Sequence, residues 1–282
     1  MSSDQTTITV EPREVTADEV AHFTDHGWVK LDQFIDPALA AELLDSGKKL
    51  MEQGKDQDAM KEANLQAWWS SRRRVALDDK AEPFRSMLLS KNLSKAAHDM
   101  MNRARLTDRQ IPVRLGSETL TCKAPAGMPG NEATPYHQDW PGTPFDRRGS
   151  LNLWVALNDV PAERGSMRFL SGSHREGPLG RMGRAEFSDV TEEYPKLTEL
   201  YEWSPAHDLK AGDATVHDGC VVHGGPANST EDYRWAWIMM FFPDDALNTG
   251  AQSFVADGLG IENNTHLHHA RLPQLWPSSE LS

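Results

Sequence analysis

The chain has 282 residues, of which 38% are hydrophobic and 25% are charged, a composition typical of a globular protein with a sizeable core. Its formal net charge of −13 argues against nucleic acid and anionic membrane surfaces as partners. Two cysteines argue against a disulfide framework, and no apolar run approaches the ~18 residues that a membrane helix needs. The N-terminal residues lack the basic and apolar regions of a signal peptide. We therefore expect a cytoplasmic protein without a membrane partner, and its oligomeric state stays open.

Residues 1–110 have a mostly helical pattern. Thr16 and Glu19 have the spacing of a capping box, which predicts the start of a helix. Asp36 followed by Pro37 predicts a second helix start, with an N-cap residue and a proline at the first helical position. The predicted helices run from Ala17 to Gly27, from Pro37 to near Gly54, and over 83–105, with a strand at 28–31.

The pattern changes after Ile111, where short apolar runs alternate with Gly, Pro, Asn and Asp. This rhythm is typical of an all-β sandwich or barrel. The runs are 120–124, 151–157, 167–170, 214–217, 221–222 and 235–242. We predict one domain over 1–282, with a helical part at 1–110, a β core at 111–245 that contains an insertion at about 176–208, and a polar tail at 246–282.

The stretch YHQDWP places His137 two residues before Asp139. Residues i and i+2 of a strand face the same side, so both side chains could converge on one ion, although this motif alone is weak. His223, in a later β-rich stretch, completes the two-histidine, one-carboxylate set typical of non-haem Fe(II) oxygenases. Such a set leaves coordination positions open for a 2-oxo acid and dioxygen. Arg234 is a candidate partner for the distant carboxylate of that acid, because guanidinium binds carboxylate through two parallel hydrogen bonds.

Several longer pieces occur in a fixed order around these residues. They are HQD at 137–139, LWVAL at 153–157, RGSMRFLSGSH at 164–174, GD at 212–213 and HGGPANSTEDYR at 223–234. From about residue 111 to 243 the sequence thereby resembles the phytanoyl-CoA dioxygenase family of Fe(II)/2-oxoglutarate-dependent oxygenases. Residues 17–36 also resemble the opening segment of that family.

The resemblance implies a mainly β fold with flanking helices (α+β), in which a double-stranded β-helix, a jelly-roll or cupin-like barrel, carries N-terminal helices packed on it. It implies Fe(II), 2-oxoglutarate as cosubstrate, and dioxygen. The implied iron ligands are His137, Asp139 and His223. The implied 2-oxoglutarate contacts are Arg234, Trp154 and Gln138.

The sequence departs from the family pattern at three positions, one of which is Ser171, where the family motif PGSH has proline. Gly225 stands where many members have a serine that helps to bind 2-oxoglutarate, so that contact is either lost or supplied by another residue, Asn152 or Lys123. Arg168 stands at a usually apolar position, and either faces the substrate pocket or forms a surface ion pair. The other candidate pocket residues are Tyr136, Trp140, Trp68 and Trp69.

Some histidines and cysteines have more ordinary interpretations. His217 either competes with His223 as a metal ligand or packs beside the site. The histidines at 266, 268 and 269 have no carboxylate partner in the sequence pattern and are interpreted as part of a solvated tail. Cys122 and Cys220 are interpreted as small buried apolar residues.

The function implied by the resemblance is oxidation of an unactivated C–H bond in a small, partly apolar molecule, with secondary metabolism as the expected setting. Hydroxylation is the expected outcome, and the same chemistry also supports desaturation, cyclisation or epimerisation. The carboxylate of Asp139 argues against halogenation, for which that ligand is usually absent. The alternatives are a non-catalytic barrel that binds a metal or small molecule, and a metal-dependent isomerase or hydrolase on the same fold.

Overall fold

The computed structural model describes residues 9–52, 71–104, 109–179 and 189–277. Its helices are α1 Ala17–His26, α2 Pro37–Glu52, α3 Phe84–Leu88, α4 Lys91–Ala104, α5 Val190–Glu193 and α6 Leu197–Leu200. Its strands are β1 Trp28–Leu31, β2 Ser71–Arg73, β3 Val113–Lys123, β4 Thr134–His137, β5 Leu151–Ala156, β6 Arg168–Ser171, β7 Glu202–Trp203, β8 Ala214–Asp218, β9 His223–Gly225, β10 Arg234–Pro243 and β11 Gln274–Trp276.

Two antiparallel sheets form the barrel. The large sheet has the order β1-β8-β5-β10-β3-β11, with β2 also paired to β3, and the small sheet has the order β4-β9-β6-β7. The sheets face each other, since the rings of His217 on the large sheet and His223 on the small sheet have centroids 4.2 Å apart. The predicted double-stranded β-helix with flanking helices is confirmed.

Helix α1 begins and ends as its sequence predicts. The Thr16 hydroxyl accepts a hydrogen bond from the Glu19 amide, and the Glu19 carboxylate accepts one from the Thr16 amide. At the other end Gly27 adopts φ +78°, a left-handed conformation that favours glycine. A Cβ at this position would lie 2.4 Å from the His174 ring, so the chain also needs glycine here for close packing.

The helix predicted over 83–105 is wrong in one respect, because two helices, α3 and α4, occupy this range. The Glu11 carboxylate accepts hydrogen bonds from the Lys91 and Asn92 amides. These first-turn amides have no partner within a helix of their own, so a carboxylate from the N-terminal segment stabilises a new helix start at Lys91.

Alternation along β8 separates the core from the barrel interior. Ala214 and Val216 are buried in the hydrophobic core between the large sheet and the N-terminal helices. Thr215 and His217 lie on the opposite face, which lines the interior. The barrel therefore presents one apolar face to the helices and a more polar face to its own interior.

The segment that follows β10 is packed onto the barrel rather than extended into solvent. Val255, Leu267 and Leu272 form a buried cluster with Phe145 and Phe242. Strand β11 then pairs with the start of β3. The polar tail predicted over 246–282 thus contributes apolar side chains at irregular spacing, which no periodic pattern reveals.

The described part of the segment predicted as an insertion, 176–208, contains α5, α6 and β7, and β7 extends the small sheet beside β6. Among the described residues, no helix has the length and apolar character required to cross a membrane.

Candidate metal centre and anion site

The three side chains of the predicted metal set meet at the end of the small sheet. His137 and His223 are directly paired across β4 and β9, and Asp139 lies two residues beyond the end of β4. His137 Nε2 is 3.4 Å from Asp139 Oδ1, and His223 Nε2 is 3.5 Å from Asp139 Oδ2. One potential ligand atom from each of the three residues lies within 4.8 Å of the others. This arrangement could hold a single metal ion.

Backbone carbonyls orient both histidines. His137 Nδ1 lies 2.8 Å from the Pro135 carbonyl, and His223 Nδ1 lies 3.1 Å from the Val221 carbonyl. Each Nδ1–H can donate to its carbonyl, which leaves the Nε2 lone pair facing the site. Burial, followed by the neighbouring His217, holds the pKa of His223 well below its usual range, so this ring is neutral as a metal ligand must be.

Asp139 is held by residues of the large sheet. Its Oδ2 atom accepts a hydrogen bond from Asn152 Nδ2 at 2.5 Å and lies 3.1 Å from His217 Nε2. Burial raises the pKa of Asp139, but His223, His137 and His217 together bring it well below the usual range. The carboxylate is therefore ionised and available to a cation.

The site is open on one side. The side chains of His137 and Asp139 are 19% and 21% exposed, whereas that of His223 is 5% exposed. Trp140, directly after Asp139, is half-buried at this opening and packs edge-on against Phe145, with centroids 6.4 Å apart.

Two buried cations lie together elsewhere on the interior face of the large sheet. Arg234 and Lys123 are paired across β10 and β3. Arg234 Nη1 donates to the Gly165 carbonyl at 2.6 Å, its Nε is buried without a partner, and its guanidinium lies 5.6 Å from the Trp154 ring centroid. Lys123 Nζ donates to the Pro226 carbonyl at 3.0 Å.

The surroundings of this pair favour an anion. Burial lowers the pKa of Lys123 to about 7, with a further decrease from Arg234, and burial lowers the pKa of Arg234 to about 10. Among the described residues, no carboxylate forms a salt bridge with either side chain. Two desolvated positive charges side by side are costly unless an anion binds them.

Gln138 and Asn152 make contacts other than those implied by the resemblance. The buried Gln138 amide donates to the carbonyls of Gly177 and Cys220 and accepts from the Leu179 amide. These contacts join the backbone around Gln138 to the segment at 177–179 and to Cys220. The Asn152 amide donates to Asp139 and so supports the metal set. A cosubstrate contact for Gln138 or Asn152 remains a prediction.

Tyr136 and Arg168 lie on the outer face of the small sheet. Tyr136 packs against Trp203 with ring centroids 4.2 Å apart, and Arg168 lies 5.4 Å from the centroid of the same ring. Their neighbours His137 and Phe169 face the interior. The structure therefore does not bring Tyr136 or Arg168 to the metal set, while Trp68 and Trp69 lie outside the described residues.

Other candidates are placed away from the site. Among the described residues, His137, Asp139 and His223 are the one group arranged to hold a metal. His268 Nε2 instead lies 3.0 Å from Asp244 Oδ1, and His266 stacks on His268. Burial raises the pKa of Cys220 to about 12, which leaves an unreactive thiol.

Two buried hydroxyls near these sites, those of Ser166 and Thr215, have no partner among the described residues and were not predicted from the sequence. Ser166 follows Gly165, whose carbonyl binds Arg234, and Thr215 shares the interior face of β8 with His217. The strand alternation at His217 could have identified Thr215, whereas nothing in the sequence pattern marked Ser166.

Curated relatives match part of this sequence. Dioxygenase easH of Epichloe festucae var. lolii is 30% identical over 122 residues, which cover 41% of this chain and 57% of the relative. The phytanoyl-CoA dioxygenase domain-containing protein 1 homolog of Dictyostelium discoideum is 32% identical over 123 residues, covering 42% and 40%. The matches thus span about half the length of these relatives.

Solved structures resemble the chain in fold. The alpha ketoglutarate dependent carbocyclase SnoK from nogalamycin biosynthesis has a TM-score of 0.73 at 21% identity, covering 93% of this chain and 98% of SnoK. The epimerase SnoN, solved with Fe3+, alpha ketoglutarate and nogalamycin RO, has a TM-score of 0.72 at 23% identity, covering 92% and 97%. The profile of the Phytanoyl-CoA dioxygenase (PhyH) family matches residues 23–236. The chain belongs to the phytanoyl-CoA dioxygenase (PhyH) family.

Proposed function

We propose that the chain is an Fe(II)/2-oxoglutarate-dependent dioxygenase that oxidises an unactivated C–H bond of a small, partly apolar molecule, with hydroxylation as the expected outcome. The observation that carries the proposal is the presence, in one barrel interior, of an open His-Asp-His set and a buried cation pair without a carboxylate. A relative in Aspergillus novofumigatus, 29% identical over 122 residues, is named as an Fe(II)/2-oxoglutarate-dependent dioxygenase and supports the same assignment.

The donor atoms fit Fe(II). Two neutral imidazoles and one carboxylate suit a borderline divalent ion, and three protein ligands leave coordination positions for small molecules. Both imidazoles already present Nε2, because their Nδ1 atoms face backbone carbonyls. His137, Asp139 and His223 would therefore hold the metal without a change of tautomer.

The cation pair fits the distal carboxylate of 2-oxoglutarate. Arg234 has a buried Nε–H that lacks an acceptor, and Lys123 offers a further donor beside it. A carboxylate here would satisfy the orphaned donor and neutralise charge in a desolvated site, where such hydrogen bonds are strong. Trp154, whose ring lies against the Arg234 guanidinium, would restrict the position of that group.

The bound metal and cosubstrate, with dioxygen, would supply the oxidising power for C–H cleavage. The residues of this chain would bind and orient. Asp139 and the two histidines would fix the metal, and Arg234 and Lys123 would fix the far end of the cosubstrate. The buried walls around Phe169 and His223 would exclude water from that side of the site.

The walls around the opening favour a substrate with apolar surface. Thr119 and Ile238 are paired across β3 and β10 on the interior face, and both are half-buried, as is Trp140. These side chains carry no formal charge. SnoK is a carbocyclase from nogalamycin biosynthesis and SnoN is an epimerase solved with nogalamycin RO, so we include a natural-product substrate, and cyclisation or epimerisation as outcomes, in the proposal.

The test is dioxygen-dependent conversion of 2-oxoglutarate to succinate and carbon dioxide by Fe(II)-loaded protein, with and without candidate substrates. We expect conversion that requires both Fe(II) and dioxygen. Turnover of a substrate without dioxygen and 2-oxoglutarate would instead identify a metal-dependent isomerase or hydrolase.

A further inference from the structure

One oxygen of Asp139 already has two neighbours from the large sheet. Asn152 on β5 and His217 on β8 are directly paired across the sheet, and both direct a nitrogen to Asp139 Oδ2, at 2.5 and 3.1 Å. A carboxylate oxygen has about two lone-pair positions for hydrogen bonds. Two donors therefore occupy the acceptor capacity of Oδ2.

The surroundings of His217 select the tautomer that donates. Its Nε2 faces the carboxylate, while its Nδ1 is buried and has no partner among the described residues. A proton on Nδ1 would be unsatisfied and would leave two acceptors facing each other at Asp139. The ring is 2% exposed and packs between Phe169 and His223, with centroids 5.6 and 4.2 Å away, so it cannot turn to another partner without displacing these rings.

The Nε2 atoms of His223 and His137 do not compete as hydrogen-bond donors to Asp139. His223 Nε2 lies 3.5 Å from Oδ2, but the His223 ring proton is directed to the Val221 carbonyl through Nδ1. His137 Nε2 lies nearest to Oδ1, at 3.4 Å, and its own Nδ1 faces Pro135. Oδ1 is thus the carboxylate oxygen that neither Asn152 nor His217 occupies, and it faces His137 Nε2.

We propose that His217 and Asn152 are positioning residues that hold Asp139 in one orientation, with Oδ2 occupied, so that only Oδ1 binds the metal. A carboxylate bound through both oxygens would take a second coordination position, which the cosubstrate and dioxygen need. The inference rests on the proposed function only in taking His137, Asp139 and His223 as the metal ligands. His217 supports the site without binding the ion itself.

The experiment measures Co(II) binding to metal-free protein by titration, without 2-oxoglutarate and without turnover. His217→Phe removes both ring nitrogens and keeps an aromatic ring against Phe169. His217→Gln keeps a donor near the position of Nε2. The matched control is His207→Phe, since His207 is a half-buried histidine that, like His217, has an unpartnered buried nitrogen among the described residues. Its ring packs against Trp28 and Phe169, whereas that of His217 packs against His223.

We expect His217→Phe to weaken Co(II) binding by about 10- to 100-fold, the usual effect of losing a residue that orients a metal ligand. His217→Gln should recover most of this loss, and His207→Phe should bind as the wild type does. With Cu(II) as a probe, electron paramagnetic resonance should show the same number of coupled histidine nitrogens in wild type and His217→Phe. Fewer coupled nitrogens in the variant would show that His217 is a ligand and would overturn the proposal.

The proposal would also be contradicted if a folded His217→Phe variant bound Co(II) with wild-type affinity. The same holds if His217→Gln bound Co(II) as weakly as His217→Phe. If His217→Phe does not fold, as judged by thermal unfolding without metal, Asn152→Val carries the test, because it removes the second donor and suits a strand. Unchanged Co(II) affinity in Asn152→Val would then overturn the proposal. A wild type that binds no Co(II) would refute the proposed function instead, so the two failures are distinguishable.

Discussion

The barrel interior has two polar sites of opposite character. At the metal set, a carboxylate and two imidazoles contact one another, and Asn152 and His217 add hydrogen bonds to Asp139. At the cation pair, Arg234 and Lys123 donate, among the described residues, only to backbone carbonyls. The first site is prepared for a cation and the second for an anion.

The difference between the two sites shows which groups the protein orients with its own residues and which it leaves for a ligand to neutralise. The metal set is oriented in advance, since Nε2 of both histidines already faces the site. The cation pair is left with excess positive charge, which a carboxylate group would neutralise. A cosubstrate with a metal-chelating end and a carboxylate end would use both sites, and changes at each site should have different effects.

The largest effect is expected at the metal set. Asp139→Ala removes the anionic ligand, so we expect no measurable conversion of 2-oxoglutarate and a large loss of Fe(II) affinity. Succinate formation and metal titration measure the two losses. The matched control, His266→Ala, changes an exposed histidine and should leave both unchanged. Full activity in Asp139→Ala would refute the metal assignment.

A change at the cation pair should separate cosubstrate binding from metal binding. Removing one partner of a buried charge pair costs about 2–5 kcal/mol, so Arg234→Ala should raise the KM for 2-oxoglutarate by about 10²-fold. Fe(II) affinity should stay near that of the wild type. Arg234→Lys should lie between the two, because it keeps the charge but loses the planar fork. An unchanged KM in Arg234→Ala would contradict the anchoring role.

Lys123 should make 2-oxoglutarate binding depend on pH. Burial lowers the pKa of its ammonium group to about 7, with Arg234 adding to the decrease and Glu132 opposing it. Lys123 is therefore charged below about pH 7 and neutral above it, so the KM for 2-oxoglutarate should rise as pH increases from 6 to 8.5.

The control for this pH dependence is Lys123→Met, which has no titrating group at the same position. It should have a KM about tenfold higher at pH 6, as for loss of one charge-assisted hydrogen bond, and a flatter profile. Identical pH profiles of the KM in wild type and Lys123→Met would exclude Lys123 as the cosubstrate partner.

The smallest effect is expected on the outer face of the small sheet. Arg168→Ala removes a cation beside Trp203 on the side opposite to His137 and Phe169. We expect 2-oxoglutarate KM and Fe(II) affinity within about twofold of the wild type, as is usual for changes outside a site. A change of tenfold or more in either quantity would show that this face influences the site.

The family and the metal set could be predicted from the sequence because their residues lie in short, ordered motifs. Strand alternation already places Tyr136, which directly precedes the metal-set residue His137, on the opposite face of β4. The face of Arg168 depends on the pairing of β6 with β9, and a shift by one residue would reverse it. No local pattern specifies that register, so the sequence supplied Arg168 as a candidate pocket residue without its direction.

His217 shows a similar limit. Its spacing left open whether it binds the metal or packs beside the site, since both roles need a buried imidazole near His223. The decisive contact, with Asp139 Oδ2, joins residues far apart in the chain. The break between α3 and α4 also depends on a distant residue, Glu11, which helical periodicity does not reveal.

The most direct test of the account compares 2-oxoglutarate binding with and without metal in wild type, Asp139→Ala and Arg234→Ala, measured by calorimetry without dioxygen. If one cosubstrate uses both sites, tight binding by the wild type should require metal, and each variant should lose it for a different reason. Arg234→Ala should still bind metal, whereas Asp139→Ala should not. Equally tight, metal-independent binding of 2-oxoglutarate by all three proteins would contradict the account.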